Sequence, residues 1–204
     1  MIKLDGQFIY NFSLLNPKDL SDVEKDFISA ENLIHFLLCE SAGGDRPTLE
    51  MVFELEKEST LRYINKGNII NISFGISEPT EETLQFEIQD DNNNKNFSIG
   101  YAVKISAVLY KPKFMSKMGN QYYGNTTSIN VVKKLADINK FNLHTNISKT
   151  NDKQEWNRIG VTEWKFLQDL WLGSYINDKT FISMGIDHHS IYFYDMRELC
   201  KQDP

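Results

Sequence analysis

The sequence predicts an α+β protein, with an N-terminal antiparallel β-barrel over residues 1–112 and a small α/β domain of two helices and a β-hairpin over residues 113–204. Three observations lead there. As far as residue 110, apolar residues alternate with polar ones along short segments, the period of strands that bury one face. Residues 111–127, KPKFMSKMGNQYYGNTT, are rich in Lys, Gly and Asn and read as a loop at a domain boundary. Beyond Ser128 the apolar period lengthens to that of a helix. The composition allows this division: 204 residues, 41% hydrophobic and 25% charged, with 11 glycines and 5 prolines, can bury two cores and are too poor in Gly and Pro for a disordered chain.

In the first half the clearest strand is LEMVFELE, which sets Leu49, Met51, Phe53 and Leu55 on one side and Glu50, Glu54 and Glu56 on the other, with Val52 the one apolar interruption. Upstream, LIHFLLCE is apolar on both faces, and the connection SAGGDRP carries adjacent glycines that take positive φ at little cost. Together they predict a hairpin. INISFGI, TLQFEIQD and residues 97–110 repeat the alternation and, with the opening GQFIYNFSLL, bring the count to about six strands. Many short one-sided strands with turns between them predict a sandwich or a barrel, and only closure removes both sheet edges.

In the second half SINVVKKLADINKFNL places Ile129, Val132, Leu135, Ala136 and Ile138 or Asn139 at helical spacing, with Thr127 or Ser128 positioned to cap the first turn. A second helix starts at the N-cap Thr162, takes Glu163 in its dipole-favoured first turn, and runs to Gly173. Trp164, Leu167, Leu170 and Trp171 fall on one stripe and are assigned to the core. TFISMGIDHHSIYFYDM reads as two strands joined at Asp187–Ser190.

Chemistry-bearing patterns are sparse. Cys39 and Cys200 lack zinc-site spacing, and Cys39, inside an apolar run, reads as a buried thiol of a reduced chain. The sequence contains no phosphate-binding glycine loop, GxSxG elbow, HExxH or EF-hand. No catalytic, cofactor-binding or metal-ligating set is therefore predicted. The regular alternation of Glu50, Glu54 and Glu56 is that of a solvated face, whereas acid–base catalysis needs carboxylates split between environments. A second function class, a metal-dependent hydrolase of phosphoesters or cell-wall glycans, rests on His188 and His189. Adjacent histidines on a strand point to opposite faces, so they read as solvated turn residues. A third class, a carbohydrate-binding β-domain, requires exposed Trp or Tyr side chains along a groove. No window approaches eighteen uninterrupted apolar residues, so no membrane partner is expected. The net charge of −6 argues against nonspecific nucleic-acid binding, but it is unevenly spread. Residues 1–100 hold 18 Asp+Glu against 8 Lys+Arg, and residues 101–204 hold 10 against 14. Such asymmetry favours oriented stacking of subunits or partners.

The order of elements, carried by ESAGGDRPTLEMVFEL, SINVVKKLADINKFNL, EWNRIGVTEWKFLQDLW and TFISMGIDHHSIYFYDM, resembles that of the baseplate hub proteins of contractile-tailed bacteriophages. These form a late-control-protein-like group related to type VI secretion spike hubs. The resemblance implies a tail-tube-like barrel and a structural virion protein of the tail baseplate, made in the host cytoplasm, without enzymatic activity. It further implies a trimeric ring that adapts tail tube to central spike, with tube and spike proteins as partners and DNA as transient cargo. Family subunits usually supply two barrels, whereas this chain shows one. The resemblance thus leads us to expect either a second barrel continuing beyond Pro204 or a ring that needs six copies or a second protein. Within it, Glu50, Glu54 and Glu56 are the candidate lumen or subunit-contact face.

Overall fold

The computed structural model describes residues 3–4, 7–16, 22–25, 32–40, 44–55, 64–75, 83–92 and 101–201. They fall into two compact units, one of Met1–Cys39 with Pro47–Tyr110 and one of Glu40–Arg46 with Lys111–Pro204.

The first unit is a single sheet of eight strands: β1 (Lys3–Leu4), β2 (Gln7–Leu15), β3 (Asp22–Lys25), β4 (Leu33–Cys39), β5 (Thr48–Leu55), β6 (Ile69–Gly75), β7 (Thr83–Asn92) and β8 (Tyr101–Leu109). Its spatial order is β1-β2-β6-β7-β8-β5-β4, with β3 also on β2, and every pairing is antiparallel. The six expected strands are present, and the hairpin of LIHFLLCE with LEMVFELE is β4–β5. The alternation does what the pleat requires. In β5, Leu49, Met51 and Phe53 are wholly buried, and the register sets Met51 between Phe36 of β4 and Ile105 of β8. Ile70, Ile72, Phe86, Ile88 and Val103 extend the same apolar side.

The expected barrel is not closed. One side of β2 carries β6 and the other carries β1 and β3, while β4 ends the path beyond β5, so among the described residues no ladder joins the two ends. Hydrophobic alternation specifies one buried face per strand, and an open sheet satisfies that as well as a barrel does. The edge position of β4 also corrects the reading of Cys39, which is exposed beside its exposed cross-strand partner Thr48.

The second unit contains β9 (Gly119–Thr126), α1 (Ser128–Asn139), β10 (Asn142–Thr145), β11 (Gln154–Val161), α2 (Glu163–Gly173), β12 (Ile182–Ile186), β13 (Ser190–Asp195) and the short α3 (Met196–Leu199). β9 pairs with β11 as an antiparallel ribbon, and β13 lies between antiparallel β12 and parallel β10. The β12–β13 hairpin turns at Asp187–Ser190, as its sequence predicts. Residues 111–127 are not the loop their composition suggests. Pro112–Ser116 form one π-helical turn whose Phe114 is buried edge-on to Phe141 (5.1 Å between centroids), and β9 follows.

Capping explains where the helices begin. Thr162 Oγ1 accepts from the Lys165 amide at 3.1 Å, as expected for α2. At α1 the Thr127 hydroxyl makes no capping bond. The distant Asp152 does that work, its carboxylate accepting from the Ser128 amide (3.0 Å), the Ser128 hydroxyl (2.5 Å) and Thr150 Oγ1 (2.7 Å). α1 buries Ile129, Val131, Val132, Leu135 and Ala136, whereas Ile138 stays exposed. The wholly buried stripe of α2 is Phe166, Leu167 and Leu170. Trp164 and Trp171 are only partly buried on its flanks, where they pack against the core, and the indole N–H of Trp171 donates to the Ile182 carbonyl (2.7 Å).

Candidate functional site

The acidic face of β5 comes first, since the sequence singles it out. Glu50 and Glu54 stand on the sheet side opposite Leu49, Met51 and Phe53, and Glu56 lies outside the described residues. Glu50 faces Leu37 of β4 and Ser106 of β8, and its Oε2 lies 3.5 Å from the Nζ of Lys104, one diagonal step along β8. Both partners are about half exposed, so water and salt screen the pair strongly. Glu54 is exposed, and its backbone N–H donates to the Asn32 carbonyl at 2.8 Å. This face is polar and only partly anionic. It offers no desolvated carboxylate for acid–base chemistry.

The DHH turn is the second candidate. Asp187 organises it: Oδ1 accepts from the amides of His189 (2.7 Å) and Ser190 (2.6 Å), and Oδ2 accepts from the Tyr192 hydroxyl (2.7 Å). Burial alone would raise the Asp187 pKa. The Tyr192 hydroxyl, the two amides and the nearby His188 outweigh it and hold the carboxyl below its ordinary value. The Tyr192 phenol is raised in turn, chiefly because its proton is shared with Asp187. The His188 and His189 rings are tilted at 53° with centroids 4.1 Å apart, and His188 Nδ1 stands 3.9 Å from Glu40 Oε1. Among the described residues no group of three or more His, Cys, Asp or Glu side chains could hold a metal ion. Three of the roughly four lone-pair sites of the Asp187 carboxylate are taken by the turn itself.

Beside this turn the hairpin forms a groove of about 330 Å³, lined by Glu40, Ser183, Gly185, Ile186, Asp187, Tyr192, Tyr194, Met196 and Leu199. Strand alternation creates it. Ile191 and Phe193 point into the core, so Tyr192 and Tyr194 must point out, opposite Gly185 and Ser183 of β12. The two phenol rings lie at 23° with centroids 6.5 Å apart, and His144 of β10 stacks on Tyr192 at 5.2 Å and 16°. Sequence reading missed this row, although Tyr-x-Tyr in a strand with Ile191 and Phe193 at the alternate positions is its signal.

A buried cluster holds the rest of the unit. Arg158 is 5% exposed and donates through Nε to the Val161 carbonyl (3.0 Å), through Nη2 to the Lys117 carbonyl (3.0 Å) and through Nη1 to Glu163 Oε1 (2.5 Å). Glu163 Oε2 accepts from Asn139 (2.5 Å), so the ion pair ties β11, α1, α2 and the segment before β9 together. Tyr123 stacks on Phe166 nearby at 5.6 Å. Burial, reinforced by the charge of Glu163 against that of Arg158, pushes its phenol up to about 12. These groups fix packing.

No protein-family model matches the chain, and no curated protein matches it in sequence. Solved structures do match. A 43 kDa tail protein of prophage MuSo2 from Shewanella oneidensis is 10% identical with a TM-score of 0.47, over 90% of this chain and 52% of that one. A tail protein from Neisseria meningitidis MC58 is 10% identical with a TM-score of 0.40, over 90% and 50%. An E. coli component of the type VI secretion system, described as structurally similar to T4 bacteriophage tail proteins, is 11% identical with a TM-score of 0.43, over 93% and 46%. The chain thus spans about half the length of these proteins, and its structural neighbours are phage-tail and type VI secretion proteins.

Proposed function

We propose that this chain is a structural component of a contractile-tail baseplate hub, which assembles into a ring between tail tube and spike and performs no catalytic step. The observation that carries the proposal is the order of elements. An antiparallel sheet is followed by a helix with a buried apolar stripe, a Trp-bearing strand, a Thr-capped aromatic helix and a hairpin closing on Tyr194–Asp195. The sequence resemblance to hub proteins rests on the same order with a barrel in place of the open sheet and a Trp-containing loop in place of the strand. The sheet also ends in an apolar strand, β4, with Ile34 57% and Leu37 43% exposed. Such an edge is a liability in a monomer and is covered by association in an assembly. In a ring the open sheet would be completed by neighbouring subunits.

The face bearing Glu50 and Glu54 is then assigned to the lumen or to a subunit contact. A DNA channel should not adsorb phosphates, and carboxylates repel them whereas Lys or Arg would hold them. The test is the double substitution Glu50→Lys with Glu54→Lys, scored by electron microscopy for rings and by DNA delivery. Intact rings with slowed DNA passage support a lumenal face, and lost rings support a subunit contact. Unchanged assembly and delivery would contradict both positions.

A further inference from the structure

We propose that the groove on the β12–β13 hairpin receives a cationic side chain, arginine by preference, from a segment of a partner protein. The proposal stands on the geometry of the second unit alone and does not depend on the ring. One part of the groove is apolar: Ile186, the rings of Tyr192 and Tyr194, and Met196 and Leu199 contributed by α3. The other part is anionic, formed by Glu40 and Asp187. Apolar wall followed by carboxylate is the complement of a long aliphatic stem that ends in a charged head.

The polar groups are unequal, and that selects the ligand. The Asp187 carboxylate already accepts three hydrogen bonds, and the Tyr192 proton is committed to it. Glu40 differs. It is about half exposed, and its described partner, His188 Nδ1, stands at 3.9 Å, too far for a hydrogen bond. Its two oxygens can therefore take a planar guanidinium as a fork, the geometry in which arginine exceeds lysine. Two nearby cations sit otherwise. Lys111 acts on Asp187 across space, but its ammonium sits 3.9 Å from the centre of the Phe141 ring. Neither Lys111 nor His188 is among the described residues lining the groove. A sugar would find no donor in Tyr192, whose proton is already used by Asp187.

The test titrates the full chain with the peptide acetyl-Gly-Arg-Gly-amide while following the amide NMR signals of Gly185, Tyr192 and Tyr194. The expected result is saturable shifts that weaken with added salt, weaker binding of the lysine peptide, and no saturable shift with the uncharged citrulline peptide. Glu40→Gln should weaken the arginine peptide about tenfold, the loss typical of one charge-assisted contact. Glu40 is a surface residue, so the variant's unperturbed spectrum serves as the folding control, and Tyr194→Ala tests the apolar wall independently. Equal binding of the citrulline peptide, full affinity in Glu40→Gln, or no shift with any peptide would overturn the proposal. Shifts at the same amides with chitotriose but not with the arginine peptide would overturn it in favour of a sugar site.

Discussion

At the scale of single residues, the second unit is held by polar groups whose cost depends on their partners. The Arg158–Glu163 pair is almost fully enclosed, with side-chain exposures of 6% and 13%. Arg158→Met strands a carboxylate in the interior and should cost about 3–5 kcal/mol in urea denaturation, whereas replacing both members with apolar residues should cost much less. Tyr123 gives the opposite case. Its hydroxyl is buried without a hydrogen-bond partner among the described residues, so Tyr123→Phe should be neutral or stabilising by up to about 1 kcal/mol. Its raised pKa also makes stability pH-dependent. Between the ordinary tyrosine value of 10.0 and about 12, the unfolded phenol ionises while the folded one keeps its proton, so stability falls as pH rises through that window. Denaturation at several alkaline pH values should show a shallower fall in Tyr123→Phe than in the parent. Neither residue stands out in the sequence: Arg158 and Glu163 are separated by a strand end and a cap, and only folding makes them buried neighbours.

At the scale of elements, alternation and capping were legible wherever the signal is local. The six strands before residue 110, α1, α2 and the closing hairpin follow from period, caps and turn residues. β9 and β10 were not legible, because GNQYYGNT and NLHT lack an apolar alternation and are strands only through their partners β11 and β13. Trp171 packs against the core as assigned but is only partly buried. Helical spacing places its ring on the inner flank but cannot show that Gly44, from a segment distant in sequence, supplies the surface it covers. That contact is close. Gly44 has φ +76°, and a Cβ there would lie 2.7 Å from the Trp171 ring. Gly44→Ala should therefore lower stability by more than the roughly 1 kcal/mol that left-handed backbone alone costs. Paired with Trp171→Ala the loss should be less than additive in a double-mutant cycle, since both remove one contact.

At the scale of the whole molecule, the six strands that the sequence predicts before residue 110 are present and bury the expected side where it is described, while the short β1 and β3 add two that it does not predict. Closure follows from neither strand number nor buried side. Whether the outer strands of a sheet meet depends on twist, bulges and pairing at its ends, which hydrophobic alternation does not encode. The open path that ends in β4, with Ile34 and Leu37 exposed, would in the proposed ring leave completion of the sheet to neighbouring subunits. The charge asymmetry between the two halves points the same way, since surfaces of unlike sign orient neighbours. Mass determination of the purified protein by native mass spectrometry, with negative-stain images of the same sample, tests this most directly. Closed rings of three or six copies, with or without an added tail partner, are the predicted result; a monomer that stays monomeric at high concentration and in the presence of tube and spike proteins would contradict it.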